Sequence, residues 1–334
     1  GALFVVGRRF AAPRYRGPRS AHFDGERFYN PGDFHHAGGF DMIRWMLSRD
    51  PGEWSEWLET PPEPAPPERV GGTDLRVTFV NHATVLIQTG GLNVLTDPVW
   101  SERCSPVSWA GPVRRVAPGV PFEQLPPIDI VLISHNHYDH LDLPTLERLA
   151  TKHAPLFVTG LGNRELLERN GISPVEELDW WETTDRGSGV RIHAVPAQHF
   201  SSRGFGDRDA TLWCGFVLET GSGLVYFAGD TGFGPHFEEI RRRFGSPRLA
   251  LLPIGAFRPE WFMSQVHLSP DDALRAHDTL RASTSVAIHF GTFHLGDDGQ
   301  LEPAERLQAL LQRKWISRPR FWVLGFGEGR AVPS

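Results

Sequence analysis

The sequence contains very little cysteine and very little lysine. Its 334 residues include two cysteines, Cys104 and Cys214, which are far apart and form no C-x-x-C pair. This excludes a disulfide framework and a zinc module built on thiolates. Only Lys152 and Lys314 are lysines, which argues against Schiff-base chemistry or a lysine nucleophile.

Long apolar runs and a surplus of positive charge are also absent. No uninterrupted apolar stretch reaches the roughly 20 residues of a membrane-spanning helix, so we expect no transmembrane segment. The net charge of −6 argues against a nucleic-acid partner, because phosphate binding requires a basic face. With 40% hydrophobic residues, the chain is predicted to be globular, and either soluble or peripherally bound to a membrane. Cytoplasm and periplasm both stay open.

Two parts of the chain differ in composition. Residues 1–70 are rich in Arg, Pro, Gly and Trp and end in the stiff stretch TPPEPAPPE. We predict that they form an N-terminal extension packing on the core, with a short helical pattern in residues 39–58 that breaks at Pro51. Residues 71–334 are predicted to form the main domain.

The main domain begins with short β-rich runs and continues with alternating strands and helices. This order predicts an α/β fold with a sheet-rich core and helices on its outer faces. Several predicted helices have proline near their first turn, where its missing N–H does no harm. The predicted helices cover residues 144–152, 164–170, 236–244, 270–281 and 303–313.

What the sequence does contain is histidine, and one loop concentrates it. The stretch SHNHYDHLD, residues 134–142, follows the apolar strand DIVLIS and precedes a helix. It carries three histidines and two carboxylates, which would be very costly to bury without a cation. Imidazole and carboxylate are ligands that zinc prefers. We therefore predict that His135 and His137 share one ion and that Asp139 and His140 reach a second.

Further ligands are expected at the ends of other apolar strands. His199, Asp230 and His289 each follow such a strand, where loops gather at one rim of a sheet. Asp230 as a carboxylate shared by both ions completes the two sets. The first predicted set is His135, His137, His199 and Asp230, and the second is Asp139, His140, Asp230 and His289.

These residues resemble the metallo-β-lactamase fold superfamily of dinuclear metallohydrolases. Phrases such as FVNHATVLIQ, LNVLTDPVW, FAGDTGF and AIHFGTF are similar to its N-acylphosphatidylethanolamine-hydrolysing phospholipase D branch and that branch's bacterial relatives, over about residues 70–295. The resemblance implies a four-layer αββα sandwich in which helices cover two facing mixed sheets. It also implies two zinc ions per chain, with other divalent ions as alternatives, and hydrolysis of a phosphodiester.

The resemblance implies roles for further residues. Asp97, in LTDP, matches an aspartate that supports a ligand histidine. A water shared by two ions has a pKa near neutrality, which predicts attack by a metal-bridging hydroxide without a protein nucleophile. His267 matches a position near the metals where it could donate a proton to the leaving group or hold a phosphate oxygen. Asp230, His267 and Asp142 are our candidate catalytic residues.

The expected substrate is a phospholipid or a small phosphodiester, N-acylphosphatidylethanolamine above all. Trp261, Phe262 and Met263 are predicted to lie over the cleft and contact acyl chains, with His82 and His294 as further substrate-binding candidates. A metal-dependent lactonase or another acyl hydrolase of a small metabolite would use the same ligands and stays open. Peripheral membrane contact, through the arginine-rich arm and residues 241–243, and a homodimer also stay open.

Overall fold

A computed structural model of the chain describes residues 11–30, 32, 38–185, 189–204, 206–313 and 320–334. Its centre consists of two seven-stranded sheets. The first sheet contains β1 (Leu75–Asn81), β2 (Thr84–Thr89), β3 (Leu92–Thr96), β4 (Ile130–Ile133), β5 (Leu156–Gly160), β6 (Val175–Leu178) and β14 (Gly329–Ala331). The second sheet contains β7 (Thr183–Asp185), β8 (Arg191–Val195), β9 (Gly215–Thr220), β10 (Gly223–Phe227), β11 (Leu249–Pro253), β12 (Thr284–Ile288) and β13 (Phe321–Trp322).

Both sheets are mixed in the same way. In the order β14-β1-β2-β3-β4-β5-β6, the strands from β14 to β3 pair antiparallel and those from β3 to β6 pair parallel. In the order β13-β12-β11-β10-β9-β8-β7, the strands from β13 to β10 are parallel and the others antiparallel. The parallel strands are covered on both faces, which explains near-continuous apolar runs such as IVLI in β4.

Helices cover the outer faces of the two sheets. The described residues form α1 (Gly39–Leu47), α2 (Leu143–His153), α3 (Arg164–Arg169), α4 (His236–Phe244), α5 (Glu260–Met263), α6 (Pro270–Leu280) and α7 (Glu302–Arg313). Leu146 and Leu149 of α2 pack against Val131 and Ile133 of β4 on the outer side of the first sheet. The main apolar core lies between the sheets and continues under α4, α6 and α7. The predicted αββα sandwich is therefore confirmed.

The helix starts follow local sequence signals. Ser269 accepts a hydrogen bond from the Asp272 backbone N–H, and Pro270 occupies the first turn of α6. Helix α1 occupies only the first part of the predicted 39–58 pattern and ends well before Pro51. No helix in the described part of the chain is long and apolar enough to cross a membrane.

The segment before residue 71 contacts the main domain closely. Phe23 and Phe28 belong to the main core, and the Tyr15 N–H donates to the Ala210 carbonyl at 3.1 Å. These contacts agree with a packed N-terminal segment, while the domain boundary at residue 70 stays a prediction. Helix α1 brings this segment to the edge of the site described next.

Candidate metal centre

The site lies where the parallel strands of both sheets end. Asp97 directly follows β3, Ser134 follows β4 and His289 follows β12. The Asp97 carboxylate accepts hydrogen bonds from the Ser134 backbone N–H at 2.7 Å and from its hydroxyl at 2.6 Å. This pair ties the ends of two neighbouring strands together, and the loop of residues 134–142 starts from a fixed point.

Three imidazoles form the first ligand group. His135 Nε2 lies 2.8 Å from His137 Nδ1, and His199 Nε2 lies 3.3 Å from the same His137 atom. One ring nitrogen from each lies within 4.8 Å of the other two. Burial lowers the pKa of His137 to about 4 and holds the pKa of His135 and His199 well below the usual range. All three are therefore neutral at pH 7, the form that binds a metal ion.

Asp139 lies at the centre of the second ligand group. Its Oδ2 lies 3.3 Å from His140 Nε2 and 3.4 Å from His289 Nε2. The same oxygen lies 2.9 Å from the Nε2 of His82, which completes a group of four. The strand-end position predicted for His289 and the loop position predicted for His140 thus meet on one carboxylate.

Asp230 lies three residues after the end of β10 and between the two groups. Its Oδ2 lies 3.2 Å from His140 Nε2 and 3.1 Å from His289 Nε2. On the other side it lies 3.9 Å from His199 Nε2 and 3.7 Å from His267 Nδ1. The Asp230 carboxylate thus lies between the two groups, and its role as a ligand shared by two ions stays a prediction.

The electrostatics of the site favour positive charge. Burial by itself raises the pKa of Asp139 and Asp230, but His140 and further imidazoles reverse this and hold both values well below the usual range. Conversely, burial lowers the pKa of His289, but Asp230 and Asp139 raise it to about 9. The two ionised carboxylates thus attract cationic partners at this point, and a divalent ion is such a partner.

The residues present fit metal ions. Three neutral ring nitrogens converge in the first group. Burying their lone pairs without a partner is costly, and a metal ion would be such a partner. Asp230 Oδ1 and His267 Nδ1 are buried without a hydrogen-bond partner among the described residues. Nitrogen and carboxylate donors without thiolate match the preference of zinc and related divalent ions.

Surrounding groups orient the candidate ligands. Asp97 Oδ2 lies 2.6 Å from His140 Nδ1, which directs the Nε2 of this ring toward the site. His199 Nδ1 lies 2.9 Å from the Val266 carbonyl. The Asn30 side chain bonds both backbone groups of His199, at 2.7 and 3.1 Å. The sequence offered no signal for Asn30, because it lies far from His199 in the chain.

A close backbone approach also positions Asp230. Gly229 has a φ of +61°, and a Cβ at this residue would lie 2.6 Å from the Ser134 Cβ. Only glycine combines this left-handed backbone with contact to the neighbouring strand end. The shared carboxylate and the histidine loop are therefore held against each other by backbone packing.

Two predicted site residues have different surroundings from those expected. His82, expected to bind substrate, lies behind Asp139, and its side chain is only 2% exposed. Asp142, expected to be catalytic, accepts hydrogen bonds from the Ser101 backbone and hydroxyl, the Thr145 hydroxyl and the Trp100 N–H. These bonds occupy both carboxylate oxygens of Asp142 and hold the end of the loop against residues 100–101.

A pocket of about 240 Å³ opens beside the ligand groups. Phe262 and Met263, which are predicted to contact substrate, line it together with His267. Trp261 is not among its lining residues and has 44% of its surface exposed. His294 is not among its lining residues and stacks on Trp54 at 5.0 Å. The lining side chains are those of Met42, Trp45, His137, Asp139, Phe200, Arg208, Asp230, Phe262, Met263, Gln265, Val266, His267 and Leu295.

Part of this pocket wall comes from helix α1, which the sequence pattern did not connect with the site. Trp45 stacks on Phe262 with ring centroids 5.0 Å apart, and its indole N–H donates to Asp297 at 3.0 Å. Met42 lies one turn before it and lines the same pocket. A helical pattern in the sequence indicates that an element exists but does not show where it docks.

Comparison with known proteins agrees with this architecture. A model of the β-lactamase superfamily domain matches residues 92–290. The N-acyl-phosphatidylethanolamine-hydrolyzing phospholipase D 1 of Caenorhabditis elegans is 36% identical over 266 residues, which cover 76% of this chain and 75% of the relative. A metal-dependent hydrolase of Pyrobaculum islandicum is 30% identical over 248 residues, which cover 73% of this chain and 97% of the relative.

A solved structure shows the same fold. The isothiocyanate hydrolase from Delia radicum gut bacteria superposes with a TM-score of 0.61 at 24% identity, covering 76% of this chain and 98% of the other. At this identity the similarity concerns the fold alone. Fold, site and relatives agree, and the chain belongs to the metallo-β-lactamase fold superfamily as a metal-dependent hydrolase related to the N-acyl-phosphatidylethanolamine-hydrolysing phospholipases D.

Proposed function

We propose that this protein is a dinuclear zinc phosphodiesterase of phospholipase D type that acts on N-acylphosphatidylethanolamine or related glycerophospholipids. The observation that carries the proposal is the position of Asp230. Its carboxylate contacts both ligand groups and also lines a pocket whose remaining walls are largely apolar. A substrate with a charged phosphodiester and apolar chains matches both halves of this pocket.

In this proposal each ligand group would hold one ion. His135, His137 and His199 would hold one ion, and Asp139, His140 and His289 would hold the other, with Asp230 shared between them. Two bound ions would supply a water of lowered pKa and positive charge against the phosphoryl oxygens.

The protein's own side chains contribute a hydrogen-bond donor and a positive charge. Burial lowers the pKa of His267 to about 4, so its imidazole is neutral at pH 7 and can donate its N–H to a phosphoryl or leaving-group oxygen. Its ring lies against Asp230 on one side and lines the pocket on the other. Arg208, stacked over Phe200 at 4.5 Å, provides a cationic group on the pocket wall.

The apolar walls would hold the acyl part of the substrate. Trp45, Phe262, Met263 and Leu295 line the pocket, and burying acyl methylenes against them is favourable by about 0.8 kcal/mol each. These walls also exclude bulk water from the ligand groups, which strengthens the interaction of charged groups with the phosphodiester.

The similarity to the Caenorhabditis elegans relative supports this substrate class. That protein is named as a phospholipase D that hydrolyses N-acyl-phosphatidylethanolamine. In such a reaction water replaces the N-acylethanolamine oxygen on phosphorus, and the products are phosphatidic acid and N-acylethanolamine.

The test is mass spectrometry of products after the zinc-loaded protein is incubated with phospholipid vesicles that contain N-acylphosphatidylethanolamine. We expect phosphatidic acid together with the matching N-acylethanolamine, and neither product when a chelator is present. Lipid left intact by fully metallated protein that instead hydrolyses a lactone would favour the acyl-hydrolase alternative.

A variant links the activity to the site. Asp230→Ala removes a ligand from both groups, and we expect loss of hydrolysis together with a lower zinc content measured by elemental analysis. Asp129→Asn is the matched control, because its carboxylate pairs with Arg69 at the opposite end of β4 from the site and belongs to neither ligand group. Full activity of Asp230→Ala would exclude the two-ion scheme.

A further inference from the structure

Helix α1 exposes an unusual amount of apolar surface. None of its nine residues is buried, although six of them are apolar or aromatic. Phe40 is 80% exposed, Ile43 55%, Met46 67% and Leu47 85%. Neighbouring apolar side chains of this size normally cover a core, and a contiguous exposed patch marks a surface that meets another phase or a partner.

The exposed residues share one face of the helix. Phe40, Ile43 and Leu47 are spaced three and four residues apart, so their side chains lie along a single stripe, with Met46 beside it. Trp261, on the neighbouring helix α5, lies beside Arg44 of α1 and is also exposed. We call the following residues the α1 patch: Phe40, Ile43, Met46, Leu47 and Trp261.

The α1 patch is continuous with the pocket. Met42 lies one turn before Met46, is 42% exposed and also lines the pocket. Trp45 follows on the inner face and stacks on Phe262 in the pocket wall. An apolar path therefore leads from the outer surface of α1 around the helix to the site of Asp230.

A cationic group lies at the border of the patch. The Arg44 guanidinium lies 4.3 Å above the Trp261 ring, and among the described residues no carboxylate forms an ion pair with it. A tryptophan ring with an arginine at the border of an apolar helix face is the arrangement of interfacial helices, in which the cation meets lipid phosphates.

We propose that α1 docks the protein on a phospholipid bilayer, an inference that rests on the proposed function. The α1 patch enters the acyl boundary, with Arg44 at the level of the phosphates and the pocket facing the membrane. A second copy of the chain fits the patch less well. A helix of nine residues is only about 13 Å long, and a stable dimer requires on the order of 800 Å² from each partner.

The test is sedimentation of the zinc-loaded protein with vesicles of phosphatidylcholine and phosphatidylglycerol that contain no N-acylated lipid. We expect the wild type to partition to the vesicles and the double variant Ile43→Gln, Leu47→Gln to partition at least roughly tenfold less. Glutamine keeps the helical propensity of α1, and neither residue lines the pocket.

Two control variants distinguish the α1 patch from exposed side chains elsewhere on the protein. Trp109→Gln removes an equally exposed aromatic residue outside the patch, and Arg242→Gln changes the exposed cationic cluster of α4. Both should leave partitioning unchanged. Sedimentation measures binding to vesicles that contain no N-acylated lipid, so a failure of the proposed phosphodiesterase activity does not affect this result. That activity is measured separately as hydrolysis of a water-soluble phosphodiester.

Three results would overturn the proposal. The wild type could stay in the supernatant, or the α1 variant could sediment with vesicles as the wild type does. The wild type could also be a dimer in solution that the α1 variant converts to monomers without either binding vesicles, and the patch would then be an interface between copies.

Discussion

At the scale of single residues, Asp97 connects the fold with the site. Its carboxylate receives the Ser134 N–H and hydroxyl and lies 2.6 Å from His140 Nδ1. In Asp97→Asn the side chain keeps a single acceptor oxygen, so it cannot accept from both Ser134 and His140 as the carboxylate does. We expect zinc affinity to fall by about 10- to 100-fold, as measured by competition with a chromophoric chelator.

Ser134→Ala is the control for Asp97. It removes a hydroxyl that bonds Asp97 but keeps the carboxylate beside His140, so a smaller loss of affinity is expected. Zinc affinity of Asp97→Asn equal to that of the wild type would show that this contact does not orient His140.

A second prediction concerns Asp209 and pH. Burial raises the pKa of the Asp209 carboxyl to about 6, although the nearby Arg208 lowers this pKa in part. A carboxyl group with a raised folded-state pKa stabilises the fold below its unfolded value near 3.8, and this contribution is lost as pH rises through about 6. Asn resembles the protonated form and tolerates the φ of +61° at this residue.

We therefore expect Asp209→Asn to match the wild type in stability near pH 4 and to exceed it above pH 6 by up to about 2 kcal/mol. Denaturant unfolding across this range measures the difference. A constant difference at all pH values would contradict the raised pKa, and Asp129→Asn, at a carboxylate nearer the surface, is the comparison.

At the scale of elements, parallel strands explain why the ligands meet. Strands β3, β4 and β12 run so that their carboxyl ends reach the same rim, and Asp97, the histidine loop and His289 follow them. The loop that carries His267 ends at α6, whose capping box comprises Ser269 and Asp272. The start of this helix thus fixes one border of the site.

Removing this cap should have a measurable effect on stability. In Ser269→Ala the Asp272 N–H loses its side-chain partner, and we expect the free energy of unfolding to fall by about 1 kcal/mol. Thr279→Ala on the exposed face of the same helix should change it by less than about 0.5 kcal/mol. Equal effects of the two variants would show that the cap is not the cause.

At the scale of the whole molecule, the ligand groups couple metal binding to stability. They come from both sheets, and unfolding separates them. An ion that binds only the folded chain adds about 2.7 kcal/mol at a concentration 100-fold above its Kd. We expect zinc to raise the melting temperature by several degrees and a chelator to reverse this shift in a calorimetric scan.

The Asp230→Ala variant is the reference for that experiment. It retains His135, His137 and His199 but lacks the shared carboxylate, so its melting temperature should respond less to zinc. A wild-type melting temperature independent of zinc and chelator would contradict metal binding by the folded chain.

Local patterns determined much of this protein. The helices at 236–244 and 270–280 follow from apolar spacing and from proline or capping signals within the same segment. Likewise, His135, His137, Asp139 and His140 are neighbours because a single turn after β4 holds them. The order of strands and helices also predicted the layered fold, since each element must cover its apolar face.

The tertiary structure alone decided contacts between distant segments. His82 contacts Asp139, and the Asn30 side chain donates to the His199 carbonyl. The Ser101 hydroxyl donates to Asp142, which is not among the residues that line the pocket. Helix α1 likewise forms a pocket wall. Periodicity in the sequence indicates which face of a helix or strand is apolar. It does not indicate which other element packs on that face, because that depends on how the two sheets pack together. The contacts named above therefore join residues that are far apart in the sequence.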